Sequence, residues 1–261
     1  MPGAATENLV RALLELDLSL QVTRIPTSDS EQADFDATDA AGQSYIVEVK
    51  GKGNDEAFKA ELRNEGVACL KESERRRDTI SRILRKAGSQ AESTAAESSA
   101  FRVLCFVAEG AHPRSQLEQL EATLYGIVPL VDLAELEANR GAVSDRRCYL
   151  FESAEFFVRS RLDGVIAMWP GRGYRLITNR FSVRNSDFEQ SYLYCAFRDR
   201  GLVTNPWLEE QRGIAFVADC YDISPKDQGR RLLYVQKKYN RPFLTPTNPS
   251  SFVGGVLIPS K

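Results

Sequence analysis

Residues 34–53 read DFDATDAAGQSYIVEVKGKG. Two strand-like runs, ADFDAT and SYIVEVK, flank Asp39-Ala40-Ala41-Gly42, a composition suited to a tight turn. Side chains two apart on a strand share a face. Glu48 and Lys50 therefore point with Ile46, opposite to Tyr45, Val47 and Val49, and Asp34 and Asp36 share a face in the same way. If the hairpin closes near Ala40 and Ala41, the acids of its first strand come close to Glu48 on the second. Facing like charges are destabilising, and one lysine cannot neutralise three carboxylates. A cation would, and hard carboxylate oxygens without His or Cys favour Mg²⁺, with Mn²⁺ as substitute. Such an ion polarises a phosphoryl oxygen and acidifies a bound water, while Lys50 orients that water or steadies the developing charge. The competing expectation is an ordinary wet hairpin face bearing Asp, Glu and Lys. Ile46 on the same face argues that one end of it is covered.

Upstream of the hairpin, Thr6 can cap a helix to about residue 17, with apolar positions Leu9, Val10, Leu13, Leu14 and Leu16 at helical spacing. LQVTRI then reads as a strand. Downstream, residues 56–87 are charged and proline-free, which predicts one or two helices. AGSQAESTAAESSA, residues 87–100, reads as a small polar linker. FRVLCFVA is the nearly continuous apolar run of a doubly buried strand, SQLEQLEATLYG a helix ending at Gly126, and IVPLVDL another buried strand. The order helix, three strands, helix, strand, helix, strand predicts an α/β sandwich around a mixed sheet, its later strands parallel.

The chain has 261 residues, 43% of them hydrophobic, enough to cover a sizeable core. The first 140 residues carry 16 Lys+Arg against 24 Asp+Glu, a balance of −8. The rest carry 18 against 12, a balance of +6, and 18 of the 24 aromatic residues. This shift predicts a boundary near residue 140, with residues 141–261 forming a smaller, β-rich, basic unit for target binding, sensing or dimerisation. Five cysteines lack paired spacing and read as buried free thiols. His112 is the single histidine, so a multi-histidine zinc site is excluded. No P-loop, no nucleophile elbow and no complete G-x-G-x-x-G occurs; GRGYRL at 171–176 lacks the third glycine. The first apolar stretch is interrupted by Arg11, Glu15 and Asp17, and no run reaches membrane-spanning length, which predicts a cytoplasmic protein without membrane contact.

Glu7 in a first helix, Asp34 or Asp36 in the second strand, and Glu48-Val49-Lys50 in the third resemble the PD-(D/E)XK nuclease superfamily, the restriction-endonuclease-like fold, over residues 1 to about 140. Ala33 stands where that pattern often has proline. The resemblance implies Asp36 (or Asp34) and Glu48 as Mg²⁺ ligands, with Asp36 the expected choice because the apolar strand continues directly after it. It further implies Lys50 as the catalytic lysine and Glu7 as an accessory ligand, for which a favourable charge in the first helical turn is the rival. The implied activity is metal-dependent phosphodiester cleavage, of DNA rather than RNA, possible in restriction or antiphage defence. The alternative is a non-catalytic nucleic-acid-binding or assembly protein that keeps the fold. Lys52, between Gly51 and Gly53, is expected on a solvated loop within reach of a phosphate. Arg75, Arg76 and Arg77 open a basic run with Arg82, Arg85 and Lys86, suited to a nucleic-acid backbone but interleaved with acids.

Overall fold

The computed structural model describes residues 3–26, 32–54, 56–65, 67–72, 78–95, 99–138, 145–158, 161–247 and 252–257. Helix α1 (Ala4–Ala12) continues as a π-helical turn, Leu13–Asp17, and buries Val10, Leu13 and Leu14, while Leu9 and Leu16 stay exposed. Thr6 is not its cap: Gly3 occupies the N-cap, and the Thr6 hydroxyl donates to Glu109. Strands β1 (Gln21–Arg24), β2 (Phe35–Thr38) and β3 (Ser44–Lys52) form an antiparallel meander in which Asp36 is opposite Ile46 and Phe35 opposite Val47.

Helix α2 (Glu56–Glu65), strand β4 (Val67–Glu72) and helix α3 (Asp78–Thr94) follow. Sequence pattern had assigned helix alone to residues 56–87 and a linker to 87–100. Instead α3 runs on to Thr94, burying Ile80, Leu84, Ala87 and Ala91. These positions keep helical spacing, and the small Ala87 and Ala91 let the second half of the helix lie close on the sheet.

Strand β5 (Phe101–Ala108) pairs parallel with β3 and is buried along nearly its whole length. Helix α4 (Pro113–Tyr125) ends at Gly126 in the left-handed conformation, as the sequence predicts. β6 (Val128–Asp132) is not a further parallel strand of this sheet. It starts a second, four-stranded sheet, antiparallel to β7 (Arg146–Tyr149), with the short helix α5 (Leu133–Ala138) between them.

After α6 (Glu155–Val158), strand β8 (Gly164–Trp169) returns to the first sheet, parallel to β5, and β9 (Gly173–Thr178) turns back antiparallel. Helices α7 (Asn185–Phe188) and α8 (Tyr192–Asp199) lead to β10 (Val203–Thr204), which completes the order β1-β2-β3-β5-β8-β9-β10. The chain closes with α9 (Pro206–Gln211), β11 (Ala215–Val217), α10 (Gln228–Lys238), β12 (Leu244–Pro246) and β13 (Phe252–Leu257). β11 and β12 edge the second sheet, and β13 pairs with β4.

The protein is thus α/β, with a mixed seven-stranded sheet and a second four-stranded sheet flanked by helices. A boundary at residue 140 would pass through the larger sheet, since β8, β9 and β10 lie beyond it. One core layer packs Ile46, Leu104, Phe106 and Val165 against α3 and α4; the opposite face, with Val47, Val49 and Val103, packs against α1 and α8. Cys105, Cys148 and Cys220 are buried free thiols.

Gly126 sits at φ 62°, and a Cβ there would lie 2.3 Å from the Glu152 carbonyl oxygen. Gly126→Ala therefore combines left-handed strain with a backbone clash and is expected to cost at least about 1–2 kcal/mol in urea unfolding.

Candidate active site

The hairpin register stops short of the first acid. Phe35 stands opposite Val47, and Asp34, just before β2 begins, donates its own N–H to the same Val47 carbonyl at 3.1 Å. There the main-chain ladder leaves the Val49 N–H free, and the Asp34 Oδ2 accepts it at 2.7 Å. Asp36 is one pair further along, opposite Ile46. Its Oδ1 is buried without a hydrogen-bond partner, and burial raises its pKa.

Glu48 lies in the middle of β3 between β2 and β5 and is only 1% exposed. The Lys50 ammonium donates to its Oε1, while Oε2 has no partner. Burial pushes the Glu48 carboxyl up to about 7. The hydrogen bond and charge of Lys50 oppose this, Asp34 adds to it, and Lys86 opposes it more weakly. A carboxyl poised near neutrality beside a lysine marks a functional candidate.

The cover over this face is α3. Lys50 also donates to Gln90 Oε1 at 3.0 Å, and Gln90 Nε2 donates to the Gln32 carbonyl at 3.2 Å. One turn on, the Thr94 hydroxyl accepts the Ala33 N–H at 2.9 Å. The helix thus fixes both the lysine and the chain entering Asp34. Lys86, one turn before Gln90, brings its charge within range of Glu48. Gln90 was not picked out in the sequence, and Lys86 only as part of a basic run suited to a nucleic-acid backbone. Gln90 fell inside the supposed linker, and only the continued spacing of Leu84, Ala87 and Ala91 would have found it.

Other expected site residues lie elsewhere. Glu7 is buried on α1, which packs on the opposite sheet face, and accepts from Arg24 Nη2 at 2.5 Å. Lys52 is not on a solvated loop: it is the last residue of β3, 9% exposed, on the face of Glu48 and Lys50. Gly51 before it gives room to the Glu109 carboxylate, 2.6 Å from where a Cβ would stand. Arg75, Arg76 and Arg77 fall outside the described residues.

Among the described residues, no three Asp, Glu, His or Cys side chains converge to hold a metal ion. The two partnerless carboxylate oxygens, of Asp36 and Glu48, nevertheless suit a hard cation. Mg²⁺ commonly takes one or two carboxylates and keeps its waters. No family model, no curated protein and no solved structure matches this chain. Among the described residues, no helix is long and apolar enough to cross a membrane.

The raised Glu48 pKa has a definite sign in folding. The native state holds this proton more tightly than the unfolded chain, so stability is lost as pH rises from the ordinary carboxylate range through about 7. Glu48→Gln has no proton to lose. Its melting temperature relative to the wild type is expected to increase by several degrees between about pH 5 and about pH 8.5, read by metal-free thermal melts.

Proposed function

We propose that this protein is a metal-dependent phosphodiesterase that cleaves nucleic acid, DNA in preference to RNA, at the site built by Asp34, Asp36, Glu48 and Lys50. The observation that carries this reading is the buried Glu48 carboxylate. One oxygen is held by Lys50, the other is without a partner, and Asp34 is near enough for its charge to act on the carboxyl. Of the two aspartates, Asp34 is the preferred metal ligand in this reading because its charge acts on Glu48, with Asp36, opposite Ile46, as diagonal neighbour of Glu48.

Glu48 and Asp34 would hold Mg²⁺, or Mn²⁺ in its place, with the free oxygen of Asp36 beside them. Bound there, the ion would supply charge neutralisation at a phosphoryl oxygen and a more acidic water. Lys50, positioned by Glu48 and Gln90, keeps its ammonium on the same face to steady negative charge at the phosphate. Lys86 and Lys52 add positive charge around the site for a polyanionic strand. A restriction-endonuclease-like fold and a role in restriction or antiphage defence belong to the same proposal. The absence of a three-acid cluster among the described residues favours, as second reading, a binding protein that does not cleave.

Incubation with linear, circular and single-stranded DNA and with RNA, in Mg²⁺ or EDTA, tests the proposal. Lys50→Ala and Glu48→Ala are expected to lower metal-dependent cleavage by about 10²-fold or more at unchanged fold. Asp34→Asn should match them, and Asp36→Asn should lose less. Wild-type rates in Lys50→Ala or Glu48→Ala would refute the assignment, and the reverse order of the aspartates would return the ligand to Asp36. In calorimetry, Mn²⁺ should bind with defined stoichiometry in the wild type and not in Glu48→Ala. Absence of binding in both supports the non-cleaving reading.

A further inference from the structure

A cleft of about 500 Å³ opens at the C-terminal end of β8, between the β8–β9 hairpin and the N-terminal half of α4. Its volume falls within the range of about 300–1,000 Å³ typical of small-molecule sites. Arg114, Arg147, Arg172 and Arg175 line it together with Trp169 and Tyr174. The stretch GRGYRL, which fails as a dinucleotide fingerprint, supplies much of one wall.

Two of these arginines are built into place. Glu121 of α4 is fully buried, and its two oxygens receive Arg147 Nη1 at 2.7 Å and Arg175 Nη2 at 3.0 Å. One carboxylate thus holds two guanidinium groups side by side and compensates only one of their charges. The Arg175 Nε is buried without a hydrogen-bond partner. Arg114 is matched by Glu118 at 2.9 Å. Arg172 has no ion pair among the described residues and lies 5.3 Å from the Trp169 ring centroid. Four arginines against Glu118 and Glu121 leave two positive charges at a wall that also offers an aromatic face.

We infer that this cleft binds a phosphorylated nucleotide, its phosphate against Arg147, Arg172 and Arg175 and its base against Trp169. Planar guanidinium groups suit phosphate oxygens, and any base can stack on an indole. Strand register relates the cleft to the end of β3, with the first turn of α4 between them: Gln116 donates to the Gly53 carbonyl while Arg114 and Glu118 line the cleft. Lys52 is level with Ala108, and Val107 with Met168, so Lys52 and Trp169 stand at one height on one face, two strands or about 10 Å apart. The nucleotide has two sources, a free mononucleotide or the phosphorylated end of a strand.

Calorimetric titration of the full chain in EDTA separates this inference from metal-dependent cleavage. The probes are deoxyadenosine monophosphate, deoxyadenosine, inorganic phosphate, and a tetranucleotide with and without a 5′-phosphate. Deoxyadenosine monophosphate or the phosphorylated tetranucleotide is expected to bind saturably. Loss of either phosphate or base should weaken binding by about tenfold or more. Arg172→Ala leaves the Glu121 network intact and should weaken binding by about tenfold; Trp169→Leu should reduce the advantage of the nucleotide over phosphate alone. The tighter of the monophosphate and the phosphorylated tetranucleotide identifies the source. No saturable binding of either, or binding that both variants leave unchanged, overturns the inference.

Discussion

Burial of the Glu48 carboxylate is the constraint around which the neighbourhood of β3 is organised. A carboxylate that is almost wholly removed from water, in a strand flanked on both sides, loses hydration that one hydrogen bond does not restore. Lys50 offsets part of that cost, and Lys86 a smaller part, whereas Asp34 adds to it. A chain selected for stability alone would place an apolar residue here, as it does at Ile46 and Leu104 on the same face. The retained acid, with one oxygen lacking a partner, is therefore a departure from local packing logic of the kind found at functional sites.

From that carboxylate the geometry extends outward by short steps. Lys50 is held between Glu48 and Gln90, so the position of the ammonium depends on how α3 lies on the sheet. The same helix ties down Gln32 and Ala33 through Gln90 and Thr94, immediately before Asp34. Asp34 in turn closes the end of β2 on the Val49 N–H. Two strands and one helix thus share a single polar seam. The small residues Ala87 and Ala91 allow the helix close enough for that seam to form.

The parts legible in sequence were those fixed by local periodicity. The period of two in SYIVEVK separated Val47 and Val49 from Glu48 and Lys50, and the two sheet faces keep that separation. The apolar run FRVLCFVA read correctly as a strand buried on both faces. What depended on distant partners was not legible. β4 pairs with β13, about 180 residues later, and β8 returns to the first sheet only after β6 and β7 have built a second one. The end of α3 was hidden because its buried residues there are alanines and a glycine, which read as linker composition. The different surroundings of Asp34 and Asp36 depended on the hairpin register and on where it stops, which a one-residue slip would have changed.

The charge contrast between the two halves of the chain has an internal explanation. Arg146 pairs with Glu135, Arg147 and Arg175 with Glu121, Arg161 with Glu92, and Arg241 with both Asp132 and Glu135. Every one of these arginines follows residue 140, and every acid precedes it. Much of the excess positive charge of the second half therefore neutralises the excess negative charge of the first, across shared sheets and core. A net charge summed over half a chain counts such arginines as though they faced solvent, which is how a basic second half came to suggest an external polyanion. The charge still available to a ligand is what pairing leaves over. Around Glu121, where two arginines meet one acid and Arg172 adds a third cation, that remainder is gathered at a cleft. Local imbalance, not the total over the second half, is what directs an anion to this surface.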